Sequence, residues 1–315
     1  MTKLKRFLLD YNIVIVLAAI ITYAFFFVPY FNVPKNISNV LVDTAVFGLI
    51  CIGMSFCLIN GGVDLSIGLQ AALSACIVCY VGSKYNLALG IIAAVVSCMI
   101  VGFLNGYIIA RFKLGSLITT LAMMRILYGL ILIITNEDQI VNTNESLLMI
   151  YKYKLFGVIQ LPIVIFVVCL LLGSFILRKT QLGINLYIVG GNMEAGKAVG
   201  INVQRTQILA YVIGSFFAGV GGVVLAARYG MGSTMVGDGL NLTVVSACVV
   251  GGVSILGGKG NMLRTMLGIL VMRIVINVMV LKLINGYMQS FVQGIIIVLV
   301  LIADLLTSYK KSAVQ

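Results

Sequence analysis

The stretch that decides the fold is Arg178–Gln207, RKTQLGINLYIVGGNMEAGKAVGINVQRTQ, a long polar interruption in an otherwise apolar chain. On either side lie segments, 158–177 and 207–227, each close to the roughly 20 apolar residues that a helix needs to cross a bilayer core about 30 Å thick. Within the stretch, Asn192-Met-Glu-Ala-Gly-Lys-Ala-Val-Gly200 predicts a two-turn helix. Asn192 can cap the free N–H groups, Glu194 suits the positive end and Gly200 suits the turn that ends it. A short helix on a basic loop of a lipid-soluble polypeptide points to a membrane subunit driven by a soluble partner.

Working outward, the same hydropathy recurs along the whole chain. The sequence is 61% hydrophobic and 10% charged, with a mean hydropathy of +1.15, against about a quarter charged in a soluble domain. Apolar runs fall near 11–31, 40–60, 67–83, 87–110, 117–136, 158–177, 207–227, 241–256, 263–284 and 288–307; the run 241–256 is short for a full crossing. The expectation is an all-α membrane protein of about ten transmembrane helices, forming a single transmembrane domain over residues 1–315. The first run has the basic start of a signal peptide, but Phe25-Phe-Phe-Val-Pro-Tyr30 lacks a small-residue cleavage site, so it reads as an uncleaved span.

The net charge of +12 reflects topology rather than a polyanionic partner. With the N-terminus inside, ten crossings place the loops at 61–66, 111–116, 178–206 and 257–262 in the cytoplasm together with both termini. These regions hold 13 of the 21 Lys and Arg residues, the positive-inside pattern. Nucleic acid is therefore not an expected partner; membrane lipid is.

Much chemistry is excluded. The chain has no histidine, which removes His-based acid–base catalysis, Ser-His-Asp arrangements and HExxH zinc sites. No acidic cluster resembles a metal cage, so no metal, catalytic residue or cofactor of its own is expected. Gly191-Asn-Met-Glu-Ala-Gly-Lys-Ala198 is one residue short of the phosphate loop GxxxxGK[ST]. It lacks the hydroxyl that ligates Mg²⁺ and the preceding strand, so ATP chemistry belongs on another polypeptide. All seven cysteines lie in apolar runs, and Cys76-Ile-Val-Cys79 reads as packing rather than a redox pair.

Glycine stands at 34 of 315 residues, above the usual ~7%. Gly102/Gly106 and Gly214 with Ala218 have the spacing of close helix packing. Asn60-Gly-Gly-Val-Asp-Leu-Ser-Ile-Gly68 and Gly251-Gly-Val-Ser-Ile-Leu-Gly-Gly-Lys-Gly260 differ. They resemble one another and each interrupts an apolar run, as in helices opened to line a transport path. Substrate-path candidates are therefore Asn60, Gly61, Gly62, Asp64, Asn105, Gly251, Gly252, Asn277 and Gln293, whose mainly neutral amides suit an uncharged polyol. Arg273 falls in mid-segment, too deep to snorkel, and needs a carboxylate, backbone carbonyls or water; Asp43 is a partner if their helices adjoin.

At these residues the chain resembles the permease subunits of bacterial ABC sugar importers, the ribose/galactose/xylose/autoinducer-2 branch. The matching segments are Gly61-Gly-Val-Asp-Leu-Ser-Ile-Gly68, Ile118-Thr-Thr-Leu-Ala-Met-Met124, Gly190-Gly-Asn-Met-Glu-Ala195 with Gly200-Ile-Asn202, and Ala247-Cys-Val-Val-Gly-Gly-Val-Ser254 with Gly257-Gly-Lys-Gly260. They occur in family order and span roughly residues 45–305. The resemblance implies that Asn192, Glu194, Ala195, Gly196 and Gly200 form the EAA-x-x-x-G coupling helix that docks on the ATPase, with Gly196 where the pattern has Ala. It further implies an ABC ATPase partner carrying ATP and Mg²⁺, an extracytoplasmic sugar-binding protein, a second copy or paralogue of the permease, and a place in the bacterial inner membrane. The implied substrate is a monosaccharide, ribose or galactose-like. Autoinducer-2 or a nucleoside is the alternative within the branch. A stand-alone ion-coupled secondary transporter is the alternative outside it; that would call for membrane-embedded acids, of which only Asp43 clearly qualifies.

Overall fold

The computed structural model describes residues 12–312. Among these, the regular structure is helical apart from four two-residue strands and a short 3-10 turn. Seven helices are long and apolar enough to cross a membrane: α2 (Pro34–Ile59), α3 (Ile67–Lys84), α4 (Leu87–Phe112), α5 (Ser116–Thr135), α7 (Leu161–Lys179), α10 (Val203–Tyr229) and α12 (Met262–Leu281). The other three apolar runs fall on α1 (Asn12–Phe27), α11 (Leu240–Val250) and α13 (Gly286–Ser312), whose described apolar stretches are shorter. Of the basic terminal residues in the topology argument, Lys3, Lys5 and Arg6 lie outside the described residues.

Helix α2 is the core. Nearly every residue from Val42 to Ile59 is buried, as expected for a helix apolar on all sides with neighbours all round. Helix α10 packs along α2, α3 and α4, while α7 and α12 lie against α2, and α1 stands outside α12. Helices α4, α5 and α7 bury only about a third of their apolar windows and turn Ile92, Ile133 and Leu171 outward, the arrangement of a lipid-facing wall.

Side-chain caps fix the helix starts. The side-chain oxygens of Asn86, Asn202 and Asn261 accept the N–H groups of Leu89, Arg205 and Leu263 at 2.8, 2.9 and 3.0 Å. At one end of the bundle lies the segment Arg178–Gln207. At the other, the connection between α5 and α7 carries strands β1 (Ile140–Val141), β2 (Lys154–Leu155) and β3 (Ile159–Gln160) and helix α6 (Glu145–Lys152). There β2 pairs with β3, while β1 pairs with β4 (Met231–Gly232), just after α10. We call these the loop end and the hairpin end.

The short run 241–256 has a structural explanation. After α10, the chain turns at Gly230 and runs back along α3 as strand β4 and the 3-10 turn Thr234–Val236. Backbone meets backbone at Gly232 with Cys76 and at Gly237 with Gly68, where a Cβ on either glycine would overlap its neighbour. Helix α11 then completes the traverse toward the loop end. From that end, Gly61–Ser66 climbs beside the first turn of α5, with the N–H groups of Val63 and Leu65 donating to Ser116 and Thr120 hydroxyls at 3.2 and 3.1 Å. Two non-helical segments thus enter from opposite ends and meet at Gly68 and Gly237.

Candidate functional site: the coupling loop, its glycine junction and a polar wall

The segment Arg178–Gln207 is mostly helical. Helix α8 (Gln181–Gly191), absent from the sequence expectation, follows α7 directly, capped by the Thr180 hydroxyl, which accepts the Gly183 N–H. Helix α9 (Met193–Ala198) follows, with the Asn192 Oδ1 accepting from Ala195 N at 3.0 Å. Gly200 takes a φ of +79°, and Ile201 N returns to the Gly196 carbonyl at 3.0 Å, closing the helix. Met193, Glu194 and Val199 point to solvent, and Glu194 pairs with Lys197 at 2.6 Å. The hydrogen bond from Lys197, aided by its charge, holds the Glu194 carboxyl below the ordinary carboxylate range. Gly196 is buried on α8, where a Cβ would lie 3.3 Å from a Val189 methyl carbon. The close approach of α8 is a physical reason for Gly where the coupling pattern has Ala.

Just before α9, Gly190 and Gly191 sit in a junction built almost wholly of backbone. A Cβ on Gly190 would fall on the Ile59 carbonyl oxygen, and one on Gly257 on the Gly190 carbonyl oxygen. A Cβ on Gly258 would lie 2.6 Å from Gly191 Cα, and Gly258 N donates to the Ile59 carbonyl at 2.9 Å. Gly61, at φ +82°, completes the contact with Gly257. The two glycine-rich segments that look alike in sequence therefore touch each other, with the root of α9 clamped between them.

The predicted path residues divide into separate places. Asp64 is fully buried and accepts from Ser66 N at 3.0 Å, from the Ser66 hydroxyl, and from Gln70 Nε2 at 2.9 Å, with Asn105 Nδ2 at 3.5 Å. Asn105 also donates to the Ser66 hydroxyl at 3.0 Å. Asn60 is buried beside the junction with Gly61, while Gly62 lies against the Tyr211 hydroxyl. Gly251 packs against the Arg264 backbone, and Gly252 turns the chain at φ +84°. Asn277 exchanges two amide hydrogen bonds, 3.0 and 2.8 Å, with Asn36 at the start of α2. Gln293 stands apart from all of these, accepting from the Thr243 hydroxyl at 3.0 Å on the wall of a cavity between α11, α12 and α13.

The pairing of Arg273 with Asp43 is corrected. Asp43 forms an ion pair with Arg228 at the end of α10, while the Arg273 guanidinium lies over the Phe47 ring, 3.3 Å from its centroid. Phe47 is one helical turn from Asp43, so the helices do adjoin; Arg228 at the end of α10 reaches the carboxylate first. Asp238 and Ser290, which line the same cavity as Gln293 and Arg273, were missed. Gly237-Asp-Gly239 breaks the apolar run as the other glycine motifs do, and that was the available signal. The helix-packing glycines behave as expected: Gly102 and Gly106 lie on Ser215 and Ile208, and Gly214 on Gly53.

The sequence model of one family, described as “Branched-chain amino acid transport system / permease component”, matches residues 36–301, almost all of the described chain. The chain belongs to this permease family. Its relatives include the L-arabinose transport system permease protein AraH of Escherichia coli (strain K12), 35% identical over 96% of this chain and 92% of the relative. The ribose import permease protein RbsC of Bacillus subtilis (strain 168) is 32% identical over 90% of this chain and 88% of its own length. RbsC of Escherichia coli (strain K12) is 29% identical over 95% of both chains. No solved structure matches. As a member of the permease family the chain is a multi-pass transport subunit, not an enzyme, and the loop 178–207 and the glycine junction lie inside the matched region.

Proposed function

We propose that the chain is the membrane-spanning permease subunit of an ABC importer in the bacterial inner membrane, moving a monosaccharide released by an extracytoplasmic binding protein. An aldopentose comes first, since arabinose and ribose are the sugars named for the relatives above. The single observation that carries the reading is relatedness to such permeases along nearly the full chain, with a capped, outward-facing α9 at the position of the coupling helix. The loop end then faces the cytoplasm with both termini, giving ten crossings, the eighth in chain order being the stretch before α11 together with α11. ATP and Mg²⁺ reside on a separate ATPase, and a second copy or paralogue completes the permease.

In this reading α9 is the handle. Glu194 and Met193 face the ATPase, and displacement of α9 passes through Gly190–Gly191 to both glycine segments, because backbone contact leaves no flexible side chain to absorb it. The decisive experiment is co-purification with the ATPase encoded beside it, followed by sugar uptake in proteoliposomes with the binding protein. Assembly that Glu194→Lys disrupts, with ATP-dependent monosaccharide uptake, is the expected outcome. No association, together with ion-driven uptake by the polypeptide alone, would replace the importer with a secondary transporter.

A further inference from the structure

The cavity between α2, α11, α12 and α13 has a volume of about 360 Å³, within the ~300–1,000 Å³ common for small-ligand sites. Its wall brings together Arg273, Asp238, Gln293, Ser290, Thr243 and Phe47. Arg273 is nine-tenths buried and its Nε has no hydrogen-bond partner among the described residues. A buried cationic donor left unpaired is costly, and an intramembrane arginine of this kind calls for a ligand or counter-group. Asp238 is accessible from the cavity and also borders a narrower crevice of about 70 Å³ beside Arg125 and Tyr128. The wall therefore carries one cation and one carboxylate, which balance, and three neutral polar groups.

The donor geometry is partly fixed. Thr243 donates to Gln293 Oε1 at 3.0 Å, which leaves the Gln293 amide NH₂ for another acceptor. Gly239, at φ +68°, precedes the first residue of α11 and lines the same space with Leu240 and Leu242. Ile276, Ile297 and the Phe47 ring supply apolar surface between these polar points. Balanced charge, alternating donors and acceptors, and apolar patches match a neutral polyhydroxylated ring, whose hydroxyls need both donors and acceptors and whose C–H faces need none.

We propose that this cavity is an intramembrane holding site for the transported sugar, in which Arg273 and the Gln293 amide donate to, and Asp238 accepts from, neighbouring sugar hydroxyls. The inference rests on the importer reading. It makes the permease itself selective for hydroxyl pattern, downstream of the binding protein.

The test uses the full complex in proteoliposomes, with saturating binding protein loaded with radiolabelled L-arabinose or D-ribose, whichever the wild type takes up. Asp238→Asn, Gln293→Leu and Arg273→Met are compared for uptake and for ATP hydrolysis stimulated by the binding protein. Loss of a hydrogen bond to a charged group predicts uptake per ATP lowered about tenfold while stimulated hydrolysis stays within twofold, the latter showing that the complex is folded and coupled. The accessible Asp238 and half-buried Gln293 keep the test open if Arg273→Met fails to assemble. Unchanged uptake per ATP in Asp238→Asn and Gln293→Leu overturns the holding site and leaves the importer reading standing. Absence of monosaccharide uptake by an assembled wild-type complex overturns the importer's substrate and the site with it.

Discussion

Asn192 carries more than its size suggests, because α9 has only six residues and one side-chain cap. Replacing a cap of this type by Ala costs about 1 kcal/mol, a large share of what so short a helix can hold. Asn192→Ala is expected to speed hydrogen exchange over 193–198 by about fivefold and to weaken ATPase association without changing the fold of the bundle. Gly190 offers the opposite case. A methyl there collides with the Ile59 carbonyl, a backbone atom that cannot rotate away, so Gly190→Ala should cost about 1–3 kcal/mol as overpacking does and lower thermal stability in detergent. Gly129→Ala on α5 meets open space and should be neutral or stabilising by up to about 1 kcal/mol. Of these positions, only Asn192 was legible from sequence, because capping is local. The Gly190 contact depends on Ile59 and Gly257, distant in the chain, and no spacing reveals it.

At the scale of elements, hydropathy located the seven helices long enough to cross a membrane and the three shorter apolar ones, since each must satisfy its backbone internally or against a neighbour. It could not tell a half-helix from a whole one. The run 241–256 hides a traverse completed by extended chain, which α3 supports by backbone proximity rather than by any apolar signal. Its glycines and the polar residues around it likewise concealed α8, which buries Leu186 and Val189 and leaves Ile184 and Ile188 exposed. The ion pair of Asp43 on α2 with Arg228 on α10 joins two elements that the sequence could only place in the same membrane. Both side chains are partly exposed, at 31% and 21%, so the pair is worth less than a fully buried one; breaking it should cost about 1–2 kcal/mol. Asp43→Asn is expected to lower the melting temperature in detergent, and the double exchange Asp43→Arg with Arg228→Asp to restore most of it. No restoration would mean that Arg228 acts through its stack on Tyr229 and not through Asp43.

For the whole molecule, the class was readable because composition and charge distribution are global quantities. The polar wall was not, because Arg273, Asp238 and Gln293 come from three separate helices or their connections and are united only by packing. Orientation can be checked with the chain's own chemistry. All seven cysteines are buried and unbridged, so a membrane-impermeant maleimide should leave the native protein unlabelled. Cysteines introduced at Val199 and Val158, exposed at opposite ends of the bundle, should then label from opposite sides of the membrane, Val199→Cys only from the cytoplasm. Labelling of both from one side would overturn the ten-crossing topology.

The meeting of Gly68 with Gly237 also bears on how the protein is made. Helix α11, with 11 residues, reaches only about 16 Å, too short to be recognised as a span by insertion machinery. Its approach leans on α3, about 160 residues earlier in the chain, at Gly68 and Cys76. This wall therefore depends on a contact with a helix far away in the chain. A bulky residue at Gly237 would show itself in the cell as a shortfall of mature protein, cleared by proteases before it could ever be tested for transport.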